Sequence, residues 1–165
     1  MIMKEKTIAI VPGSFDPITN GHINIVKRAI NDYDKVYLAV MINPDKEYMF
    51  TISQRERIAK AAVSDIKNVE VISSEGLLWE LAKSLGACAI VKGYRNSTDL
   101  VYEKKMAEFN RAHYPQAETV LLMADDELSD ISSTLVRKMI EDNTSLEGVL
   151  PSGAIAEINK IINEK

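Results

Sequence analysis

Thr7-Ile8-Ala9-Ile10-Val11-Pro12-Gly13 decides the fold, because a β-branched apolar run stopped by Pro-Gly reads as a buried strand. Apolar residues then recur at 23, 25, 26, 29 and 30, the spacing of one helix face. The alternation continues along the chain. Residues 36–42 form a second apolar run that ends at Asn43-Pro44, and Ser53-Gln54-Arg55-Glu56 reads as a capping box before Ile58, Ala61, Ala62 and Val63. Residues 69–72, 89–91 and 119–123 are further strands, and 77–85, 100–113 and 132–140 are helices, the first of them closed by Gly86. A last amphipathic helix carries Ile155, Ile158, Ile161 and Ile162. Near-continuous apolar strands separated by helices predict a doubly wound (Rossmann-like) α/β fold. Its parallel sheet has five strands and helices on both faces. The chain of 165 residues is read as a single domain spanning 1–165.

Composition excludes several classes of function. Charged residues make up 27% and the net charge is −4, so an extended basic face for nucleic acid is not expected. No apolar stretch approaches the ~20 residues of a membrane span, and charge at Lys4, Glu5 and Lys6 interrupts any signal-peptide core. A cytoplasmic protein is expected. Cys88, the one cysteine, lies in an apolar run and reads as a small buried thiol.

Ligands in such folds bind beyond the carboxyl ends of the strands, which places chemistry just after Val11, Ile42, Ile72, Val91 and Met123. After Val11 comes Gly13-Ser14-Phe15-Asp16-Pro17-Ile18-Thr19-Asn20-Gly21-His22. It is neither a dinucleotide-binding glycine turn nor a Walker A loop. It still offers a glycine for close backbone approach, a hydroxyl, and a histidine at a helix N-terminus that favours phosphate. The structural alternative is a plain turn capped by Asn20, with His22 filling space.

The ten residues resemble the turn of the cytidylyltransferase-like nucleotidyltransferases, in the Thr-x-Gly-His version, and within them the phosphopantetheine adenylyltransferase family. Met49-Phe50-Thr51, Glu56-Arg57, Tyr102-Glu103, Asn110-Arg111 and residues 131–137 resemble later segments of that family, so the likeness covers almost the whole chain. The resemblance implies transfer of the adenylyl group of ATP to 4′-phosphopantetheine. The alternatives are another phosphorylated acceptor, such as nicotinate mononucleotide or glycerol phosphate, or a silent nucleotide-binding regulator.

The same resemblance assigns the residues. His22 is the catalytic group. Ser14, Phe15, His22, Gly93, Tyr94, Arg95, Glu103, Leu128, Ser129, Asp130, Ile131, Ser132, Ser133, Thr134 and Arg137 bind ATP. Ser14, Lys46, Leu78 and Lys92 bind the acceptor. Lys92 stands where the family usually has Arg, which keeps the charge and loses the planar fork. Leu128 stands where an aromatic residue is common. The acidic run Asp125, Asp126, Glu127, Asp130 lacks metal-ligand spacing, so no protein metal site is expected and Mg²⁺ arrives with ATP. A homohexamer and feedback by coenzyme A are further implications. Residues 37–41 and 77–79 could supply an interface or belong to the core. If His22, Lys46, Lys92, Arg95 and Arg137 converge, an acidic surface surrounds a cationic pocket.

Overall fold

Apolar runs become strands wherever a helix can cover both of their faces, and the chain alternates accordingly. The computed structural model describes residues 3–164; Met1, Ile2 and Lys165, at the ends of the stretch read as one domain, lie outside the described residues. The elements are β1 (Ile8–Gly13), α1 (Asn20–Asp32), β2 (Lys35–Met41), α2 (Ile52–Ala62), β3 (Val69–Ser74) and α3 (Leu78–Leu85). There follow β4 (Ala89–Tyr94), α4 (Ser97–His113), β5 (Glu118–Met123), a 3₁₀ turn at Asp126–Leu128, α5 (Ser133–Glu141) and α6 (Ser152–Asn163). All strand pairs are parallel, in the order β3-β2-β1-β4-β5. The order reverses between β1 and β4, which is where such sheets open a crevice. No helix among the described residues is long and apolar enough to cross a membrane.

The strand period of two divides the core. Ala9, Val11, Val36, Leu38, Val40, Ala89 and Val91 face one way and pack with Val26, Ile58, Val136, Ile158 and Ile161 of α1, α2, α5 and α6. Ile10, Ala39 and Ile90 face the other way, against Leu78, Ala82 and Leu85 of α3. Leu38, Ile10 and Ile90 are fully buried, and truncating any one to Ala would cost about 2–5 kcal/mol. Of the two apolar stretches open to either reading, residues 38–40 are thus core, whereas Leu77 is 51% exposed.

Several local expectations are corrected. Thr51 with Gln54, not Ser53 with Glu56, forms the capping box of α2. Glu56 instead accepts from Lys60 and Ser73, so it is unavailable to the helix end. Thr19 rather than Asn20 caps α1, and Asn20 donates its side-chain and backbone N–H groups to Gly148 and Val149. The helix α4 begins three residues earlier than its apolar spacing shows, because Asn96 accepts from the Asp99 amide. Cys88 is exposed: it precedes β4 at the rim of the sheet, where its sulfur donates to the Ile8 carbonyl at 3.4 Å. Gly86 does take the left-handed cap, with φ of 63°.

At Gly153, α6 lies close against the backbone of α2. A Cβ on Gly153 would lie 2.4 Å from the Ala61 carbonyl oxygen, a contact that only backbone movement could relieve. Gly153→Ala is therefore expected to lower the unfolding free energy in urea melts by about 1–3 kcal/mol. Gly76→Ala, whose Cβ would meet only the Glu80 and Ser74 side chains at 3.7 and 3.8 Å, is expected to change it little.

Candidate active site

β1 ends at Gly13, where a Cβ would stand 2.8 Å from the Phe15 ring, so glycine lets that ring fold back under the strand. Phe15 is 3% exposed and takes a left-handed φ of 48°, a conformation that costs a non-glycine residue about 1–2 kcal/mol. The turn is locked by its neighbours. Asp16, 3% exposed, accepts from the Met49 and Phe50 amides at 2.9 and 3.0 Å. Arg137 of α5 donates to the Asp16 carbonyl at 2.9 Å and lies 3.9 Å from its carboxylate, while its other nitrogen reaches Thr134. Ser133 donates to the Pro17 carbonyl at 2.8 Å. Ser14 lies at 3.2 Å from the Tyr48 hydroxyl.

His22 sits at the third position of α1 and completes a capping box with Thr19. The Thr19 amide donates to His22 Nδ1 at 2.9 Å, so Nδ1 is an acceptor and the neutral ring carries its proton on Nε2, at the opposite edge. Desolvation of the largely buried ring, with a smaller contribution from the Arg95 guanidinium, lowers its pKa from 6.5 to about 4. The imidazole is neutral at pH 7. Phe15 stands edge-on to it at 5.0 Å and 87°, which fixes the ring plane. His22 is therefore an oriented N–H donor rather than a cation or a base.

The end of β4 supplies the next group. Lys92 follows the strand alternation to the α3–α4 side and meets Glu103 of α4 at 2.7 Å, an ion pair by distance whose angle is off the hydrogen-bond axis. The strand runs past Lys92 to Tyr94, which pairs with Met123 of β5. Gly93 faces α1, and a Cβ there would sit 3.0 Å from Ile25. Arg95 is held by Asp99 at 3.0 Å.

The loop after β5 closes over the start of α1. The carbonyls of Ile131 and Leu128 lie 3.8 and 3.9 Å from where a Gly21 Cβ would be. Arg28 and Asn24 of α1 hold Met123 and Asp125 at 2.8 and 2.9 Å. Ser132 caps α5 through the Leu135 amide, and Ser129 donates to the Asp126 carbonyl. Asp130 is exposed. No cluster of three or more His, Cys, Asp and Glu that could hold a metal ion forms among the described residues.

Lys46 is exposed on the loop after β2, and Leu78 opens α3 behind the exposed Leu77, a helix start with no side-chain cap. Both lie beyond the carboxyl ends of their strands, at the same edge of the sheet as the first turn. Sequence reading missed Arg55. It is 1% exposed, stacks on Tyr48 at 3.9 Å, and donates to the Ser14, Met41 and Phe50 carbonyls at 2.6, 3.0 and 3.2 Å. Its spacing from Ile52, Ile58 and Ala59 put it on the inner face of α2, a signal available in the sequence. A cavity of about 420 Å³ lies elsewhere, between α4 and β5, and its lining mixes Lys104 and Arg111 with Glu108 and Glu118.

The expected cationic pocket takes a different form. Lys92 and Arg95 are each paired with a carboxylate, Arg137 lies beside Asp16, and His22 is neutral.

Comparison with known proteins fits this site. The model of the cytidylyltransferase-like family matches residues 10–139. The phosphopantetheine adenylyltransferase of Clostridium tetani (strain Massachusetts / E88) is 40% identical over 158 residues, covering 96% of this chain and 99% of that protein. Those of Streptococcus pyogenes serotype M5 (strain Manfredo) and serotype M1 are 40% identical over 159 residues, covering 96% of this chain and 97% of theirs. The residues matched by the family model include the turn at Gly13, the helix start at His22 and the loop leading to Ser133, and the chain belongs to the phosphopantetheine adenylyltransferase family of cytidylyltransferase-like proteins.

Proposed function

We propose that the protein transfers the adenylyl group of ATP to 4′-phosphopantetheine, giving dephospho-coenzyme A and pyrophosphate in coenzyme A biosynthesis. The observation that carries the reading is the neutral, Nε2-protonated His22 at the switch point between β1 and β4. An oxygen of the acceptor phosphate attacks the α-phosphorus. The new O–P bond forms as the bond to the bridging oxygen breaks, and pyrophosphate leaves with that electron pair. A phosphomonoester has its second pKa near 6, so the nucleophile is ionised near pH 7 and needs no base. The difficulty is stabilising charge on the α-phosphoryl oxygens, which takes preorganised donors. His22 Nε2–H supplies one without moving a proton.

In this reading Ser14, Lys46 and Lys92 hold the acceptor phosphate, and the uncapped start of α3 at Leu78 meets the pantetheine arm. Lys92 exchanges Glu103 for phosphate. Phe15, Gly93, Tyr94, Arg95, Glu103, residues 128–134 and Arg137 bind ATP. Mg²⁺ would arrive with the triphosphate and would supply charge neutralisation for the departing pyrophosphate. We further propose a cytoplasmic homohexamer subject to feedback by coenzyme A. Support for self-association is the row of exposed apolar residues Tyr102, Met106 and Phe109 along α4.

Incubation with ATP, Mg²⁺ and a panel of phosphorylated acceptors is expected to release pyrophosphate with 4′-phosphopantetheine alone. Release with nicotinate mononucleotide or glycerol phosphate instead would reassign the acceptor, and silence with all of them would make the chain a nucleotide-binding regulator. His22→Ala is expected to lower kcat about 10²–10³-fold, with ATP affinity within about threefold by calorimetry. An unchanged kcat would remove His22 from the reaction. The same residue sets a pH dependence of stability. Its pKa is about 4 folded and 6.5 unfolded, so between these values the unfolded chain binds the extra proton. Acidification from pH 7 to 4.5 should thus cost the wild type about 2–3 kcal/mol that His22→Gln does not lose, read from urea melts at the two pH values.

A further inference from the structure

Asp99 and Glu103 stand four residues apart on α4, so their carboxylates share one face of the helix. That face meets the end of β4, with Glu103 on Lys92 at 2.7 Å and Asp99 on Arg95 at 3.0 Å. The second contact is the more directional. A single oxygen of Asp99, Oδ2, accepts from the Arg95 backbone N–H at 3.1 Å and from its side-chain Nε at 3.0 Å. A guanidinium gripped at Nε keeps its terminal nitrogens, and four of its five N–H groups, for another anion. Asp99 is itself fixed, because its amide donates to Asn96 Oδ1, the cap of α4, at 2.9 Å. A rigid line thus runs from the helix cap through Asp99 to the fork of Arg95.

We infer that Asp99 is a positioning residue of the transfer reaction: it orients Arg95 so that the open edge of its guanidinium meets the nucleotide triphosphate. The inference rests on the proposed reading of Arg95 as a ligand of the ATP phosphates. The Arg95 side chain is 41% exposed, so without Asp99 the long side chain would sample many rotamers and binding would have to order it. The pair has little to do with holding the protein folded. An exposed i, i+4 ion pair adds only marginally to stability, and a carboxylate in the first turn of a helix has only a modest effect through the helix dipole. The consequence of losing Asp99 is expected in catalysis. Asparagine keeps an oxygen at the same place and can still accept from Nε, so geometry and charge are separable.

Steady-state kinetics on a double-mutant cycle tests this, with 4′-phosphopantetheine saturating and thermal melts run beside it. Arg95→Ala is expected to raise the KM for ATP more than tenfold, and Asp99→Ala to raise it about tenfold with the melting temperature little changed. Asp99→Ala in the Arg95→Ala background should add less than about twofold, because its effect passes through the missing arginine. Asp99→Asn should return KM to within about threefold of the wild type. Additive losses in the cycle, an unmoved KM in Asp99→Ala, or an Asp99→Asn variant as impaired as Asp99→Ala would overturn the role of Asp99 while leaving Arg95 as the ligand. A KM that stays put in Arg95→Ala would overturn the reading of Arg95 itself, and that of Asp99 with it.

Discussion

A carboxylate almost out of reach of water holds the reacting end of the sheet together. Asp16 would cost several kcal/mol to bury unpaired, but its two oxygens accept separately from the Met49 and Phe50 amides, with Arg137 nearby at 3.9 Å. A buried cation complements it. Arg55 gathers the carbonyls of Ser14, Met41 and Phe50 at the strand end and turns around it. These two charges knit the first turn, the loop after β2 and the start of α5 into one unit. Only such a unit can hold Phe15 in a left-handed conformation, because strain of that kind persists where the surroundings over-determine it.

The helix start at Thr19 shows how one contact serves folding and chemistry together. A capping box ordinarily satisfies two free amides and nothing more. With His22 in the place that Glu or Gln usually fills, the same bond from the Thr19 amide consumes Nδ1 and leaves the proton on Nε2. The bond that closes one half of the cap of α1 thus also sets the tautomer of the imidazole. Removing the Thr19 hydroxyl would loosen the cap, yet the backbone N–H that sets the tautomer would remain.

The strand and helix order was legible in the sequence, because the apolar runs at 7–11, 36–42 and 89–91 are short, β-branched and ended by turn residues. Element ends were less so. Whether Thr51 or Ser53 caps α2 depends on Glu56 being engaged by Lys60 and Ser73, a tertiary fact. Cys88 misled because an apolar run says nothing about which of its residues reaches the rim of the sheet. At the site, His22 could be read from its place after β1, and Arg95 and Arg137 from the family resemblance. Their partners could not, since Asp99 and Glu103 look like ordinary helical carboxylates until α4 is laid against β4. Arg55 escaped notice because a charged residue invites a surface reading, although its spacing placed it on the apolar face of α2.

Those partners change how a chain with net charge −4 can gather two anionic substrates. Bare cations crowded at one sheet edge would repel one another and stay mobile, and a mobile lysine or arginine must be ordered at the moment of binding. Pairing Lys92 with Glu103 and Arg95 with Asp99 removes the repulsion and fixes direction, at the cost of electrostatic pull on the incoming phosphates. The neutral His22 fits the same logic. In the proposed reaction an oriented N–H adds most where negative charge grows during displacement. A site built this way discriminates through the aim of its donors, so its local sum of charge can stay near zero while the transition state is still favoured over the ground state.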